Sequence, residues 1–313
     1  MRHHLRKARE IYSEKGFLQA SKSALRYVPI EINNFYVRLK YGRGARVAEE
    51  DWDNLIILDG CRYDMFSDRN YLDGTLESRI SLGSSSEEFL ERNFDSGTYY
   101  NTVYVNGNPY IPKLGLDQGT FHAVVDCLSD WDSSLQTLPP ESVVENAREA
   151  MVEFPNKRLI VHFMQPHTPF IGEVGRSIAG GGWTMDHDIK EEPGIWNQLQ
   201  NGKADIPLET VWEAYNENLD LVLAEVESLL GELEGKTVIT ADHGNLVGER
   251  LSPIPTRRKY GHPYGVHAPE LVKVPWFVVD GNERRKIQSD PPVETESISG
   301  EKVDARLKAL GYR

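Results

Sequence analysis

Three segments, each following a run of apolar residues, carry side chains able to bind a metal or an anion. Asn54 to Leu58 (NLIIL) is followed by Asp59; Arg158 to Met164 (RLIVHFM) leads to His167 in QPHTPF; Thr237 to Thr240 (TVIT) leads to Asp242 and His243. An Asp-His pair offers one carboxylate oxygen and one imidazole nitrogen to a divalent cation, and Asp59 would add a second carboxylate. Three protein ligands leave a coordination position open, which is the arrangement of a catalytic site and not of a closed structural one. Carboxylates with one imidazole suit Mn2+, Zn2+ or Mg2+, and a single ion is expected. The dipeptide alone is equally a turn-forming Asp beside a structural His, so the weight rests on the set.

A nucleophile is available in GSSSEEFLERNF, where Ser84, Ser85 and Ser86 precede a helical pattern with Glu87 and Glu88 in its first turn. At a helix N-terminus, free amides and the positive dipole end favour a tetrahedral anion. The same spacing reads as a helix capping box, Ser85 to Glu88, and the segment by itself favours that reading. Arg62 is either an anion contact or half of an ion pair with Asp64. Cys61 reads as core filler, and His162, between apolar Val161 and Phe163, as a satisfied buried residue.

These groups need a scaffold that gathers them. The apolar runs already named, with Thr102 to Val105 and Val274 to Val279, are short and continuous, the pattern of strands buried on both faces. Helical spacing covers Glu141 to Phe154 and Glu209 to Leu230 between them, and VDARLKALGY at the end. The alternation predicts an α/β fold with a mainly parallel central sheet flanked by helices and a helical N-terminal extension. In such sheets the carboxyl ends of the strands carry the chemistry, which would bring Asp59, His167, Asp242 and His243 to one edge. Residues 172–206 read as an excursion over the site, and 282–300 as a loose polar stretch.

Composition narrows the function classes. The 313 residues carry 35 Lys and Arg against 48 Asp and Glu, a net charge of −13, which disfavours nucleic acid as a partner. Two cysteines, Cys61 and Cys127, are too few for a disulfide framework and fit a reducing compartment. MRHHLRKARE lacks the apolar segment of a secretory signal, so a cytoplasmic location is expected. The charge is uneven: residues 1–50 hold 11 basic and 5 acidic side chains, the remainder 24 and 43. This divides the chain into a basic helical N-terminal extension, 1–50, and a catalytic domain, 51–313. The extension either packs on the acidic body or makes peripheral contact with an anionic membrane surface.

LDGCRYDMF, GSSSEEFL, HFMQPHTPF, VITADHGN, YGHPYG with LVKVPW, and the closing LKALGY occur in an order that resembles the alkaline phosphatase superfamily, in particular its sulfatase-like branch as found in archaeal sulfatase-like hydrolases. The resemblance implies that Asp59, Asp242 and His243 bind metal. It places the nucleophile in the serine cluster at Ser85, whose hydroxyl would also reach the metal, with Ser84 as the alternative register. It makes His167 and His262 contacts of the substrate anion or leaving group, with His267 competing for that role and Arg62 a further anion contact. The sequence departs from formylglycine sulfatases: Cys61 begins CRYDM, Glu87 stands where Pro is expected, and no Arg follows the serines.

The expectation is thus a metal-dependent hydrolase of phosphate or sulfate esters, acting on a small-molecule or glycan substrate through a covalent ester on serine. The alternatives are a phosphoryl-group transferase acting on envelope glycan or lipid, and a non-catalytic binding module of the same fold.

Overall fold

A computed structural model of the chain describes residues 17–179, 194–281, 283–293 and 298–312. Among the described residues there are nine strands: β1 Asn54–Leu58, β2 Thr75–Ile80, β3 Tyr99–Asn106, β4 Phe121–Asp126, β5 Arg158–Phe163, β6 Thr237–Thr240, β7 Leu246–Glu249, β8 Lys259–Gly261 and β9 Lys273–Val279. Seven form one sheet in the order β2-β9-β6-β1-β5-β3-β4, and β7 with β8 makes a small ribbon. The pairs β6·β1, β1·β5, β5·β3 and β3·β4 are parallel, and β9 runs antiparallel to both neighbours. The α/β class and mainly parallel sheet expected from the alternation are therefore present, with one reversed strand that the apolar run Val274 to Val279 did not reveal.

β1 is central because four of its five residues are apolar and all five are buried. Its side chains divide between two cores, as a pleated strand requires. Ile56 and Leu58 face one core with residues of the Pro140–Glu153 and Leu208–Leu230 helices; Leu55 and Ile57 face another with Phe89, Leu90 and Phe94 of the Ser86–Phe94 helix. β1 lies between its parallel neighbours β5 and β6, and a site is expected at the carboxyl ends of these strands.

The expected excursion over 172–206 contains helices at Glu173–Ala179 and Ile195–Gln200, while 180–193 lie outside the described residues. Of the loose stretch 282–300, positions 282 and 294–297 also lie outside them. Helix Phe17–Tyr41 packs through Val37 onto Leu246, Leu251 and Leu271. Among the described residues no helix is long and apolar enough to cross a membrane.

Candidate active site

Asp59 follows β1 directly, and Asp242 and His243 follow β6, its hydrogen-bonded neighbour. All three are fully buried, and their ligand atoms lie within 4.8 Å of one another. Gly60 permits the turn: it holds φ +70°, a conformation that L side chains rarely adopt, and its amide donates to Asp242 Oδ1 at 3.0 Å. The His243 amide donates to the same oxygen at 2.8 Å.

Each carboxylate is thereby split. Asp242 gives Oδ1 to two backbone amides, and Asp59 gives Oδ2 to Asn108 Nδ2 at 2.7 Å and the Ser86 hydroxyl at 3.0 Å. Asp242 Oδ2 and Asp59 Oδ1 are left buried with no hydrogen-bond partner. His243 completes the set: its Nδ1 lies 2.7 Å from the Gly244 carbonyl, which requires N–H there and leaves a lone pair on Nε2. That lone pair faces Asp242 Oδ2 at 3.4 Å and Asp59 Oδ1 at 3.7 Å.

Acceptor facing acceptor in a buried site is repulsive. Two carboxylate charges within 4.8 Å repel by about 3 kcal/mol at an effective dielectric near 20. Burial first, and then the charge of Asp242, push the Asp59 carboxyl well above its usual range. A divalent cation removes the conflict, and the spacing suits one: ligands about 2.1 Å from a tetrahedral ion are about 3.4 Å apart. The donor set thus fits the expected metal.

His162 is a correction. Its Nδ1 meets the Tyr104 hydroxyl at 2.7 Å, but its Nε2 has no partner and points at Asp59 Oδ2 and Asp242 Oδ2 from 3.9 and 4.0 Å. It is not a satisfied core residue; its Nε2 is a fourth candidate ligand atom, and the second nitrogen, facing the cluster. Burial, more than the nearby His243, lowers its pKa to about 4 and keeps it neutral, the form a metal needs.

The three serine hydroxyls meet different partners. Ser85 is the N-cap of the Ser86–Phe94 helix, and its hydroxyl accepts from the Glu88 amide at 3.4 Å. Ser84 bonds Glu88 Oε2 at 2.8 Å and the Pro263 carbonyl at 3.0 Å. Both hydroxyls belong to the helix terminus. The one that reaches the cluster is Ser86, fully buried, 3.0 Å from Asp59 Oδ2 and 3.3 Å from His243 Nε2. Gly83 makes the approach possible, since a Cβ there would stand 2.3 Å from the Phe89 amide.

His167 and His262 do come together over the cluster, with Nε2 atoms 2.9 Å apart. The Thr168 carbonyl, 2.6 Å from His167 Nδ1, places the proton there, so His262 Nε2 is the donor of the pair. His262 stacks on His243 at 4.5 Å between ring centroids. Burial, and then His243, lower the His167 pKa to about 4; burial does the same more strongly to His262. Tyr312, from the closing LGY, stacks on His167 and places its hydroxyl 3.5 Å from both Ser86 Oγ and His167 Nε2.

Two expected anion contacts are placed elsewhere. Arg62 is 5% exposed and spends its guanidinium on Asp64 (2.6 and 2.9 Å), Glu249 (2.6 Å) and the Asn245 carbonyl (2.9 Å), stacked over Trp212. Of the two readings of Arg62, the ion pair with Asp64 is present. His267 Nε2 faces Glu88 Oε1 at 3.4 Å, and that buried carboxylate also holds Ser84 and the exposed Arg92. Cys61 is buried and free, as packing demands, and Cys127 likewise.

No family model matches the chain, and no curated protein matches it. Solved structures similar to it include the periplasmic domain of the phosphoethanolamine transferase EptC from Campylobacter jejuni, with 16% identity over 72% of this chain and 78% of that one and a TM-score of 0.44. A phosphonate monoester hydrolase from Silicibacter pomeroyi shares 12% identity over 83% and 73%, TM-score 0.44. A putative sulfatase from Bacteroides thetaiotaomicron shares 13% over 83% and 70%, TM-score 0.42. A protein of the alkaline phosphatase superfamily from Vibrio parahaemolyticus is also similar, with 12% identity over 86% of this chain and 69% of that one and a TM-score of 0.37.

Proposed function

We propose that this chain is a metal-dependent hydrolase of phosphate or sulfate esters whose nucleophile is Ser86, in place of the expected Ser85. The observation that carries the reading is the Ser86 hydroxyl lying 3.0 Å from Asp59 Oδ2 and 3.3 Å from His243 Nε2, inside the cluster of unpaired ligand atoms and at the first turn of a helix. Asp59, Asp242 and His243 would hold the cation, with His162 facing the same space. A bound divalent ion would supply Lewis-acid stabilisation of the anionic transition state and lower the pKa of the serine hydroxyl.

The remaining work falls to the chain's own groups. Ser86 donates its hydroxyl hydrogen to Asp59 Oδ2, which holds the other lone pairs of Oγ toward an incoming phosphorus or sulfur. The new bond runs from Oγ to that atom, and the ester bond to the alcohol oxygen breaks. The His262 Nε2–H, held by His167, and the Tyr312 hydroxyl would stabilise the negative charge on the departing oxygen by hydrogen bonding, and that oxygen takes its proton from water. Water then cleaves the serine ester and releases the anion. The amide end of the Ser86–Phe94 helix favours the negative charge throughout.

A transferase would share every step up to the serine ester and pass the group to a sugar or lipid hydroxyl. A cytoplasmic location stays with the proposal, on the two-cysteine composition. The test is metal analysis of purified protein coupled to turnover of an aryl phosphate, an aryl phosphodiester and an aryl sulfate, with and without added alcohol. Stoichiometric metal with release of free anion supports hydrolysis; product carried mainly on the alcohol supports transfer. Neither metal nor turnover on any ester leaves the binding-module reading and overturns this one.

A further inference from the structure

One face of the Phe17–Tyr41 helix is apolar and uncovered. Val28, Ile32, Phe35 and Leu39, spaced four, three and four apart, form a line along it and are 51, 44, 66 and 74% exposed. The opposite face is fixed to the body. Asn33 exchanges hydrogen bonds with the Ile254 carbonyl and amide, both at 2.8 Å, and Asn34 bonds the Gly265 carbonyl at 2.9 Å and the His267 amide at 2.7 Å. With both asparagines buried and Val37 packed between them, the helix cannot roll to hide the stripe.

The charge around the stripe says what covers it. Arg38, Lys40 and Arg43 are exposed beside it, in a fifty-residue segment of 11 basic and 5 acidic side chains, while the rest of the chain has 24 and 43. An anionic surface would be repelled by the body and attracted here. A two-fold dimer through the same line would bring two basic segments together. We infer that this helix docks the protein peripherally on an anionic lipid bilayer, with Phe35 and Leu39 at the boundary between headgroups and acyl chains and the basic side chains on the phosphates. The inference is independent of the ester chemistry, since its test reads binding alone.

The full chain is floated with phosphatidylcholine vesicles containing about 30 mol% phosphatidylglycerol, and with phosphatidylcholine alone. Wild-type protein is expected to float with the anionic vesicles and to bind at least about tenfold less to the neutral ones or in about 1 M salt. Phe35→Ser with Leu39→Ser should weaken binding by at least about tenfold without changing Tm, because both side chains lie in solvent. Arg38→Glu with Lys40→Glu leaves the stripe intact and should abolish the preference for anionic vesicles. Wild-type protein that stays unbound, or serine substitutions that bind as wild type does, would overturn the inference. So would a dimer in light scattering that the two serine substitutions dissociate, which would make a second copy the occupant.

Discussion

Ser85 and Ser86 are adjacent, yet their removal should have opposite consequences. In Ser85→Ala the lost contact is the N-cap, a 3.4 Å bond to the Glu88 amide. That long geometry belongs at the lower end of the capping range, about 0.5 to 1 kcal/mol. Turnover per folded molecule should stay within a few-fold. In Ser86→Ala the helix keeps its cap, and Asp59 Oδ2 keeps Asn108 while losing one hydroxyl bond, a net change of about 1 kcal/mol or less. If the hydroxyl is the nucleophile, turnover should fall by about 10⁴-fold or more, the scale on which removal of a nucleophile acts. The assay is kcat/KM on the best aryl ester, beside the urea midpoint and metal content of each variant. Acid quench after a burst of substrate should place phosphate or sulfate on one peptide containing GSSSEEFL in wild type and Ser85→Ala, and on none in Ser86→Ala. Turnover within tenfold of wild type in metal-loaded Ser86→Ala would refute the assignment. Loss of turnover in Ser85→Ala at an unchanged urea midpoint would restore Ser85.

Asp242→Asn should keep the acceptor for the Gly60 and His243 amides but turn an NH2 toward the cluster, weakening metal affinity by more than about tenfold with the fold retained; unchanged binding by calorimetry would remove Asp242 from the ligands. Tyr312→Phe should keep the stack on His167 and lose the donor, lowering kcat about tenfold at constant Tm; unchanged kcat would make Tyr312 a cover and nothing more. Glu88 tests acid stability: burial raises its pKa, but bonding to His267 and the charge of Arg92 prevail and bring it from 4.5 to about 2. A folded pKa below the unfolded one gives stability that is full above pH 4.5 and lost as pH falls toward 2, about 3 kcal/mol at this order of magnitude. Urea unfolding of wild type and Glu88→Gln between pH 7 and 3 should therefore converge on acidification, and parallel curves would show that Glu88 is not the group concerned.

Legibility in the sequence followed the range of the physics. Apolar continuity fixed β1 and β6 to the residue, and strand direction followed from the helices between them, so Asp59, Asp242 and His243 could be expected at one edge before any coordinates. The approach of His167 and His262 followed the motif resemblance and is present. β2 and β4 were not recognised: β2 is largely half-exposed at the sheet edge with a mixed pattern, and β4 carries His122 and Asp126 among its apolar residues.

What the sequence could not decide was orientation at the scale of one residue. Successive residues on a helix point about 100° apart, so which of three serines faces Asp59 and His243 depends on where the helix begins, and Ser85 is its cap. For His162 the strand pattern gives burial but not what the free nitrogen meets, which depends on β5 lying beside β1. Asn108 and Tyr312 lie 49 and 226 positions from the groups they bond, Asp59 and Ser86. Local periodicity carries no information about such partners. The sequence by itself determined that Asp59, Asp242 and His243 would meet at one sheet edge, because parallel pairing makes that a property of short apolar runs. Only the tertiary structure decided which hydroxyl, imidazole and phenol complete the site, because each is aimed by packing between segments distant in the chain.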